Sequence, residues 1–253
     1  MTLTIECLDV QKKYGRAVAL HGESLAFDGR SMLGIVGESG SGKSTLGKLI
    51  VGLEEPSTGL VLVDGVDLGF ILRNPKTRRK YWQRVQMIGQ DTVSTFDPRH
   101  TLRSSLRSPA QRLKGLSAAE SDLAVETIVE ELGIDASLLD RMPGELSGGQ
   151  RQRMSIARAL VVRPELIVAD EAVSALDVSV QASVLNLLKK YCRENNAGLV
   201  FISHGLPATA FITERLIVMS AGRIVEQGKT ADVLAAPRDP FTKELLSAYR
   251  GAS

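Results

Sequence analysis

One glycine-rich stretch holds the first residues whose types and spacing could do chemistry. Residues 37–45 read Gly-Glu-Ser-Gly-Ser-Gly-Lys-Ser-Thr, which fits the pattern G-x-x-x-x-G-K-[ST]. In this pattern, glycines let backbone N–H groups point at phosphate oxygens, the lysine supplies a positive charge, and the serine hydroxyl can bind Mg²⁺. The stretch therefore predicts a site for nucleotide phosphates. The alternative is a glycine- and serine-rich surface turn.

The sequence on either side of this stretch favours the phosphate site. Residues 31–36 are typical of a buried strand, and residues 46–51 are typical of an apolar-faced helix. The motif requires such a strand, loop and helix in succession. The helix would also direct the positive end of its dipole at the phosphates.

Two adjacent carboxylates suggest the rest of a hydrolytic site. The apolar run 166–169 leads directly into Asp170 and Glu171, as in a central parallel strand that delivers acids to its C-terminal edge. Asp170 is expected to hold Mg²⁺ and Glu171 to polarise the attacking water. Two exposed acids at a strand end are common, but the phosphate motif in the same chain makes that alternative weaker.

Two further segments could meet a nucleotide. His204 follows the predicted strand 198–203 and could contact the terminal phosphate, although a lone histidine is usually structural. The segment Leu146–Gln150 precedes a helix predicted over 151–162, and its free N–H groups would form a second anion site. Two such sites far apart in sequence suggest a dimer in which each chain completes the other's site.

Tyr14 has two interpretations. It follows Lys12 and Lys13 and precedes Gly15, so it could stack on an adenine ring, because any base presents a π-face. Considered alone, it is better explained as a turn aromatic that packs on a sheet edge.

Composition excludes several classes of protein. The chain has 253 residues, of which 43% are hydrophobic and 24% charged, with a net charge of +2, so we expect a globular protein with no nucleic-acid partner. Cys7 and Cys192 are far apart and form neither a disulfide framework nor a metal motif, which suits a reducing cytosol. We expect no signal peptide, because residues 1–6 carry no basic segment or long apolar core, and no apolar run approaches the roughly 18 residues of a membrane span.

The order of the predicted elements indicates an α/β fold with a mostly parallel sheet. Strands at 3–10 and 17–27 suggest a small antiparallel flank. From residue 91 to about 143, strand patterns give way to charged, helix-forming sequence, in which Ser117 and Glu120 form a capping box for a helix through Leu132. Two short helices are predicted in the tail, over 230–234 and 242–249.

Taken together, these motifs resemble those of the ATP-binding cassette (ABC) ATPases over nearly the whole chain. The resemblance implies one ABC ATPase domain over 1–253, with a P-loop NTPase (RecA-like) core, an antiparallel β subdomain and a helical insert. The core with its β subdomain would occupy 1–90 and 160–230. The helical subdomain with the LSGGQ signature would occupy 91–159, and a helical tail would occupy 231–253.

The resemblance also assigns roles to individual residues, with ATP and Mg²⁺ as the ligands. Glu171 matches the catalytic glutamate, His204 the switch histidine, and Gln90 the Q-loop glutamine that contacts Mg²⁺ and the membrane partner. Residues 174–177 match the D-loop. The implied metal ligands are Ser44, Gln90 and Asp170. The implied nucleotide-binding residues are Tyr14, Gly37, Glu38, Ser39, Gly40, Ser41, Gly42, Lys43, Ser44, Thr45, Ser147, Gly148, Gly149, Gln150 and Asp177.

Three segments, 94–99, 176–182 and 239–246, are similar to the dipeptide, oligopeptide and nickel importer ATPases. This implies a subunit that energises a binding-protein-dependent importer of peptides, nickel or a related small solute. Its partners would be a second ATPase, identical or homologous, in a head-to-tail dimer, two membrane permease subunits and, indirectly, a solute-binding protein. The chain would be cytoplasmic and peripheral on the inner face of the cell membrane. Because no cysteine follows Cys192, we expect no iron–sulfur cluster.

The chain also departs from the family pattern. Ala172-Val173 replaces the usual Pro-Thr, Gly205 replaces the Asp after the switch histidine, and Asp97 replaces the usual Asn. The alternative function is a soluble ABC ATPase in a non-transport complex such as carbon–phosphorus lyase.

Overall fold

The part of the chain that the structure describes contains two β-sheets surrounded by helices. The structure, a computed structural model, describes residues 2–91, 94–174 and 176–250. The strands are β1 (Thr4–Tyr14), β2 (Ala17–Asp28), β3 (Met32–Gly37), β4 (Thr58–Val63), β5 (Val66–Asp67), β6 (Val85–Ile88), β7 (Leu166–Asp170), β8 (Gly198–Ser203), β9 (Arg215–Ser220) and β10 (Arg223–Lys229).

The larger sheet has six strands in the order β10-β9-β3-β8-β7-β6. All neighbouring pairs are parallel except β9 and β10, which form an antiparallel hairpin. Every residue of β7 and β8 is buried, as expected for parallel strands covered on both faces by helices. The predicted α/β fold with a mostly parallel sheet is confirmed.

The smaller sheet is antiparallel and has the order β2-β1-β4-β5. Burial alternates along the second half of β2, because one face of this sheet packs on the core and the other meets solvent. Its buried residues Leu20, Leu25 and Phe27 share a core cluster with Leu46 and Ile50. The small antiparallel flank is confirmed, and it lies against the segment that follows the glycine-rich stretch.

Helices cover both sheets, and none in the described ranges is long and apolar enough to cross a membrane. The helices are α1 (Lys43–Val51), α2 (Leu68–Arg73), α3 (Pro75–Arg84), α4 (Leu102–Pro109), α5 (Ala118–Glu131), α6 (Gly148–Leu160), α7 (Val178–Asn195), α8 (Leu206–Ile212), α9 (Thr230–Ala235) and α10 (Pro240–Arg250), with a π-helical segment at Ala110–Lys114 and 3-10 turns at Ala136–Asp140 and Pro143–Glu145.

The chain between β6 and β7 forms only helices and turns in its described residues. The capping box predicted at Ser117 is present, with both reciprocal hydrogen bonds to Glu120, and Gly133 follows α5 with a left-handed φ of 61°. Buried residues of α4, α5 and α6, including Leu106 and Met154, share one core cluster. These elements lie where the helical insert is predicted, and its boundaries at 91 and 159 stay a prediction.

Two expectations for the helices need correction. The helix predicted over 151–162 begins at Gly148 and ends at Leu160, because Ser147 acts as its N-cap and draws the next three residues into the first turn. Helix α8 was not predicted at all, since its seven residues give too short an apolar pattern.

Candidate functional site

The carboxyl ends of three neighbouring strands bring the predicted site residues to one edge of the large sheet. Strand β3 ends at Gly37, β7 at Asp170 and β8 at Ser203. The registers pair Val36 with Ser203, and Asp170 with Ile202. Ligands of open α/β sheets bind at this edge, beyond the carboxyl ends of the strands.

The glycine-rich loop crosses close to the backbone of other elements. A Cβ on Gly37 would lie 2.0 Å from the main-chain oxygen of Met219, and one on Gly42 would lie 2.4 Å from that of Ala19. Gly42 also has a left-handed φ of 95°. These two positions require glycine, because a side chain would force the loop away from β9 and β2.

The end of the loop exposes the start of α1. Gly42 is the N-cap of this helix, and it has no side chain that could accept the N–H groups of the first turn. These N–H groups and the helix dipole can therefore bind an anion. Glu38, Ser39 and Gly40 are exposed at the crest of the loop, whereas Ser44 and Thr45 are partly buried in α1.

The Lys43 side chain folds over the inner side of the loop. Its Nζ donates to the main-chain oxygens of Gly37 at 3.0 Å and Glu38 at 2.6 Å, and lies 3.4 Å from Ser41 Oγ. The side chain is buried, and this burial lowers the pKa of the ammonium group, opposed by the nearby carboxylates. A buried cation held by neutral carbonyls is a fitting partner for phosphate oxygens.

Ser44 and Asp170 lie together beneath the loop. Ser44 Oγ donates to Asp170 Oδ1 at 2.9 Å. Burial raises the pKa of the Asp170 carboxyl, and the hydrogen bond from Ser44 opposes that effect. Ser44 supplies a hydroxyl, and Asp170 supplies a buried carboxylate whose charge its surroundings do not fully compensate. Both are oxygen ligands of the kind that Mg²⁺ prefers. The residues present therefore fit the metal that the motif implies.

Glu171 stands next to this pair in an unusual backbone conformation. Its φ is 49°, in the left-handed region, and its N–H donates to the main-chain oxygen of Ile202 at 2.9 Å. His204 Nδ1 lies 3.6 Å from Glu171 Oε1, and the imidazole is more than half exposed. A left-handed non-glycine residue costs free energy, and such strain is concentrated at functional sites. Nothing in the local sequence predicts the left-handed backbone conformation at Glu171.

Gln90 reaches the same edge from the end of β6. Its Nε2 lies 3.5 Å from Ser174 Oγ, which donates to the main-chain oxygen of Glu171 at 3.0 Å. The structure thus brings together five predicted residues whose roles remain to be tested. They are Lys43, Ser44, Gln90, Asp170 and Glu171, with His204 beside them.

The signature segment forms a different environment. Ser147 Oγ accepts from the Gln150 N–H at 3.2 Å, and Gln150 Oε1 accepts from the Ser147 N–H at 3.0 Å. Ser147, Gly148 and Gln150 are exposed, whereas Gly149 packs so closely on Val180 that a Cβ would approach it to 3.0 Å. Within the described residues, no hydrogen bond joins this segment to the glycine-rich loop.

Two other predicted residues also lie apart from the loop contacts. Asp177 is exposed at the N-cap of α7, and Ala175 of the predicted D-loop lies outside the described residues. Tyr14 ends β1 and is 45% exposed, with Lys12 Nζ 5.1 Å from its ring centroid. The hydrogen bonds of the described residues do not connect Tyr14 to the loop.

Two of the three departures from the family pattern have local explanations. Ala172 and Val173 are both buried in the core cluster of the helical insert, where apolar side chains fit. Asp97 is paired with Arg99 at 2.7 Å, and this guanidinium holds the pKa of the Asp97 carboxyl well below its usual range.

Comparisons with known proteins agree with this geometry. The family model described as ABC transporter matches residues 18–174. The chain is 41% identical over 237 residues to the oligopeptide transport ATP-binding protein AppF of Bacillus subtilis (strain 168), covering 94% of this chain and 72% of that protein. It is also 41% identical over 230 residues to the dipeptide transport ATP-binding protein DppF of Haemophilus influenzae, covering 91% of this chain and 70% of that one.

The fold has solved counterparts. The dimeric post-hydrolysis state of the ATP-binding cassette MJ0796 bound to ADP and Pi superposes with a TM-score of 0.80 at 27% identity, covering 89% of this chain and 98% of that one. CbiO1 from Clostridium perfringens, part of the transporter complex cbiONQ, also gives 0.80 at 25% identity, covering 92% and 90%. These matches confirm the predicted resemblance. The chain belongs to the ABC transporter family and is an ATP-binding, ATP-hydrolysing member of it.

Proposed function

We propose that this chain is the ATPase subunit of a binding-protein-dependent peptide importer. The observation that carries the hydrolytic part is the convergence of Lys43, Ser44, Asp170, Glu171 and His204 at one sheet edge. The printed names of relatives, which are oligopeptide and dipeptide transport ATP-binding proteins, support the transport part.

The chain's own groups would divide the work of hydrolysis as follows. The loop N–H groups and Lys43 bind the β- and γ-phosphates, with the Lys43 ammonium leaving the loop carbonyls for phosphate oxygens. Glu171 orients the attacking water and accepts its proton, and His204, whose Nδ1 lies 3.6 Å from Glu171 Oε1, contacts the γ-phosphate. Tyr14 would stack on the adenine ring.

Ser44, Asp170 and Gln90 would hold Mg²⁺. When bound, the ion neutralises charge that develops on the phosphate oxygens. Asp170 Oδ1 accepts a hydrogen bond from Ser44 Oγ, so the hydroxyl and the carboxylate that would hold the ion already lie together.

The exposed signature segment supports a head-to-tail pair. Ser147, Gly148 and Gln150 are exposed, and the reciprocal bonds between Ser147 and Gln150 leave the main-chain N–H groups of Gly148 and Gly149 for a ligand. Asp177 is exposed at the start of α7. In the proposed pair, each signature closes the other chain's loop over ATP. The second ATPase is identical or homologous, and two permease subunits join the pair peripherally to the inner face of the membrane.

One experiment tests the transport proposal. The complex is purified from cells with its partners, and its ATPase rate is measured with a panel of peptides, nickel and unrelated solutes, each with a candidate solute-binding protein. Co-purifying permease subunits and stimulation by peptides are expected. Co-purification of soluble phosphonate-processing enzymes instead would favour the carbon–phosphorus lyase alternative and contradict the importer.

A further inference from the structure

The last helix of the chain ends against the segment that carries the switch histidine. The Tyr249 hydroxyl in α10 donates a hydrogen bond to the main-chain oxygen of His204. His204 directly follows β8, and its imidazole lies beside Glu171. The tail therefore touches the backbone of a residue whose side chain faces the proposed hydrolytic centre.

The tail is fixed at its beginning as well as at its end. Both carboxylate oxygens of Glu226 accept main-chain N–H groups, from Arg238 at 3.0 Å and from Asp239 at 3.1 Å. Asp239 in turn accepts from the Phe241 N–H at 2.8 Å in the first turn of α10. This chain of bonds fixes the start of α10 against β10.

Apolar packing holds the middle of the tail. Leu246 is buried in a cluster with Val36, which precedes the glycine-rich loop, and with Leu206, which begins α8 just after the switch histidine. Tyr249 packs against the same cluster. A rigid element thus presents the Tyr249 hydroxyl, so the bond does not depend on a freely moving side chain.

The side chain of His204 itself has little packing. The imidazole of His204 is 59% exposed, so contacts with neighbours do not fix its direction. Ser203 Oγ accepts from the Gly205 N–H at 2.9 Å, and Gly205 supplies no side chain of its own. The position of the imidazole therefore depends mainly on how the His204 main chain is held.

We propose that Tyr249 is a positioning residue for ATP hydrolysis. Its hydrogen bond fixes the His204 main chain and so keeps the imidazole next to Glu171 at the γ-phosphate. This inference rests on the role given to His204 under the proposed function. Tyr249 itself contacts neither the phosphate nor the water.

The test is Tyr249→Phe in the full-length chain within its transporter complex. We expect kcat for ATP hydrolysis to fall about two- to tenfold, the effect of one hydrogen bond on a barrier. KM and Kd for ATP should not change, because the loop is untouched. Ser247→Ala is the matched control: it removes a hydroxyl from the same helix, where Ser247 Oγ donates to the main-chain oxygen of Glu244 within that helix, and it should behave as wild type.

A double-mutant cycle shows whether the effect passes through His204. Single-turnover release of labelled phosphate is measured for His204→Ala, with and without Tyr249→Phe. If Tyr249 acts through His204, the second change adds nothing. Multiplying effects, a wild-type kcat for Tyr249→Phe, or a raised KM with a lowered melting temperature would each overturn the positioning role. Full activity of His204→Ala would instead contradict the proposed function of that histidine, and the inference with it.

Discussion

Two helix N-termini in this chain, those of α1 and α6, could bind phosphate. Both present the positive end of a helix dipole, but their capping residues, nearby charges and exposure differ. Helix α1 begins after Gly42, which offers no capping side chain, above the buried ammonium of Lys43. Helix α6 begins after Ser147, which caps its own first turn through a reciprocal pair of bonds with Gln150. The first end is lined by charged groups and partly enclosed, whereas the second is exposed.

This difference shows why one end can bind nucleotide within a single chain and the other needs a partner. The α1 end already has a buried cation on its loop carbonyls and a hydroxyl bonded to a buried carboxylate. The α6 end has only N–H groups and hydroxyls, which gain strength for an anion when water is excluded. We infer that the α6 end contributes to hydrolysis when it contacts ATP that is bound to the loop of a second chain.

The largest effect is expected at the α1 end. Lys43→Ala removes the buried charge over the loop, so ATP binding should be lost or severely weakened and kcat lowered by about 100-fold or more. Isothermal titration with ATP and a phosphate-release assay measure both. Lys76→Ala, an exposed lysine on α3, is the control and should have no effect. Wild-type ATP binding by Lys43→Ala would contradict the loop as the phosphate site.

A substitution at the α6 end should abolish ATP turnover without changing ATP affinity. Ser147→Arg places a bulky side chain where the second nucleotide would lie, so turnover should be lost while ATP affinity is kept. The control is Ser137→Arg, at an exposed serine of a 3-10 turn. Loss of ATP affinity in Ser147→Arg would show that the two ends serve one site in the same chain.

Mixing these two inactive variants sharpens the comparison. In a head-to-tail pair of Lys43→Ala with Ser147→Arg, one of the two sites combines an intact loop with an intact signature. Activity should therefore reappear on mixing, as followed by phosphate release. No recovery at any mixing ratio would contradict a composite site between two copies of this chain.

Glu171→Gln should block ATP hydrolysis after the α1 end of one chain and the α6 end of another have closed on ATP. The neutral amide cannot accept the proton of water, so hydrolysis should slow by about 10²–10⁴-fold while ATP binding continues. An ATP-dependent dimer should then accumulate, which light scattering during size-exclusion chromatography detects. Glu130→Gln on α5, at an exposed site, is the control. A fully active Glu171→Gln protein would remove Glu171 from its proposed role.

The smallest effect concerns stability. Burial raises the pKa of Asp170 above its unfolded value, so at neutral pH the folded protein bears the cost of a desolvated carboxylate, and stability increases as pH falls through the folded pKa. Asp170→Asn keeps an acceptor for Ser44 and removes the charge. Without ligand its Tm should rise, by about 2–4 °C per kcal/mol relieved, and its Tm should no longer respond to Mg²⁺ with ATP. A lower Tm would mean that the charge itself stabilises the fold.

Much of the site could be predicted because its parts are local in sequence. The apolar run before the glycine-rich stretch predicts β3, and the run before Asp170 and Glu171 predicts β7, since a buried parallel strand needs apolar residues on both faces. Parallel strands bring their carboxyl ends to one edge, so the meeting of Ser44 with Asp170 follows from two separate local patterns.

Other features depend on residues that are distant in sequence. The sequence predicts the start of α6 at residue 151, three residues late, because two consecutive glycines after Ser147 resemble a loop. The left-handed backbone of Glu171 and the hydrogen bond from Tyr249 to His204 carry no local pattern. Both arise from packing between segments that meet only after folding.

By itself, the sequence determined the phosphate loop, the acids at the end of β7, the α/β fold class with its mostly parallel sheet, and the resemblance that the comparisons confirm. These depend on residue types at short, fixed spacings, which are set by the periodicity of strands and helices. Only the tertiary structure decided that Lys43 is buried against its own loop, that Gly37 must lie against Met219, and that most of the signature segment is exposed. Those outcomes depend on how close distant backbones approach, and close approach is a property of the packed chain.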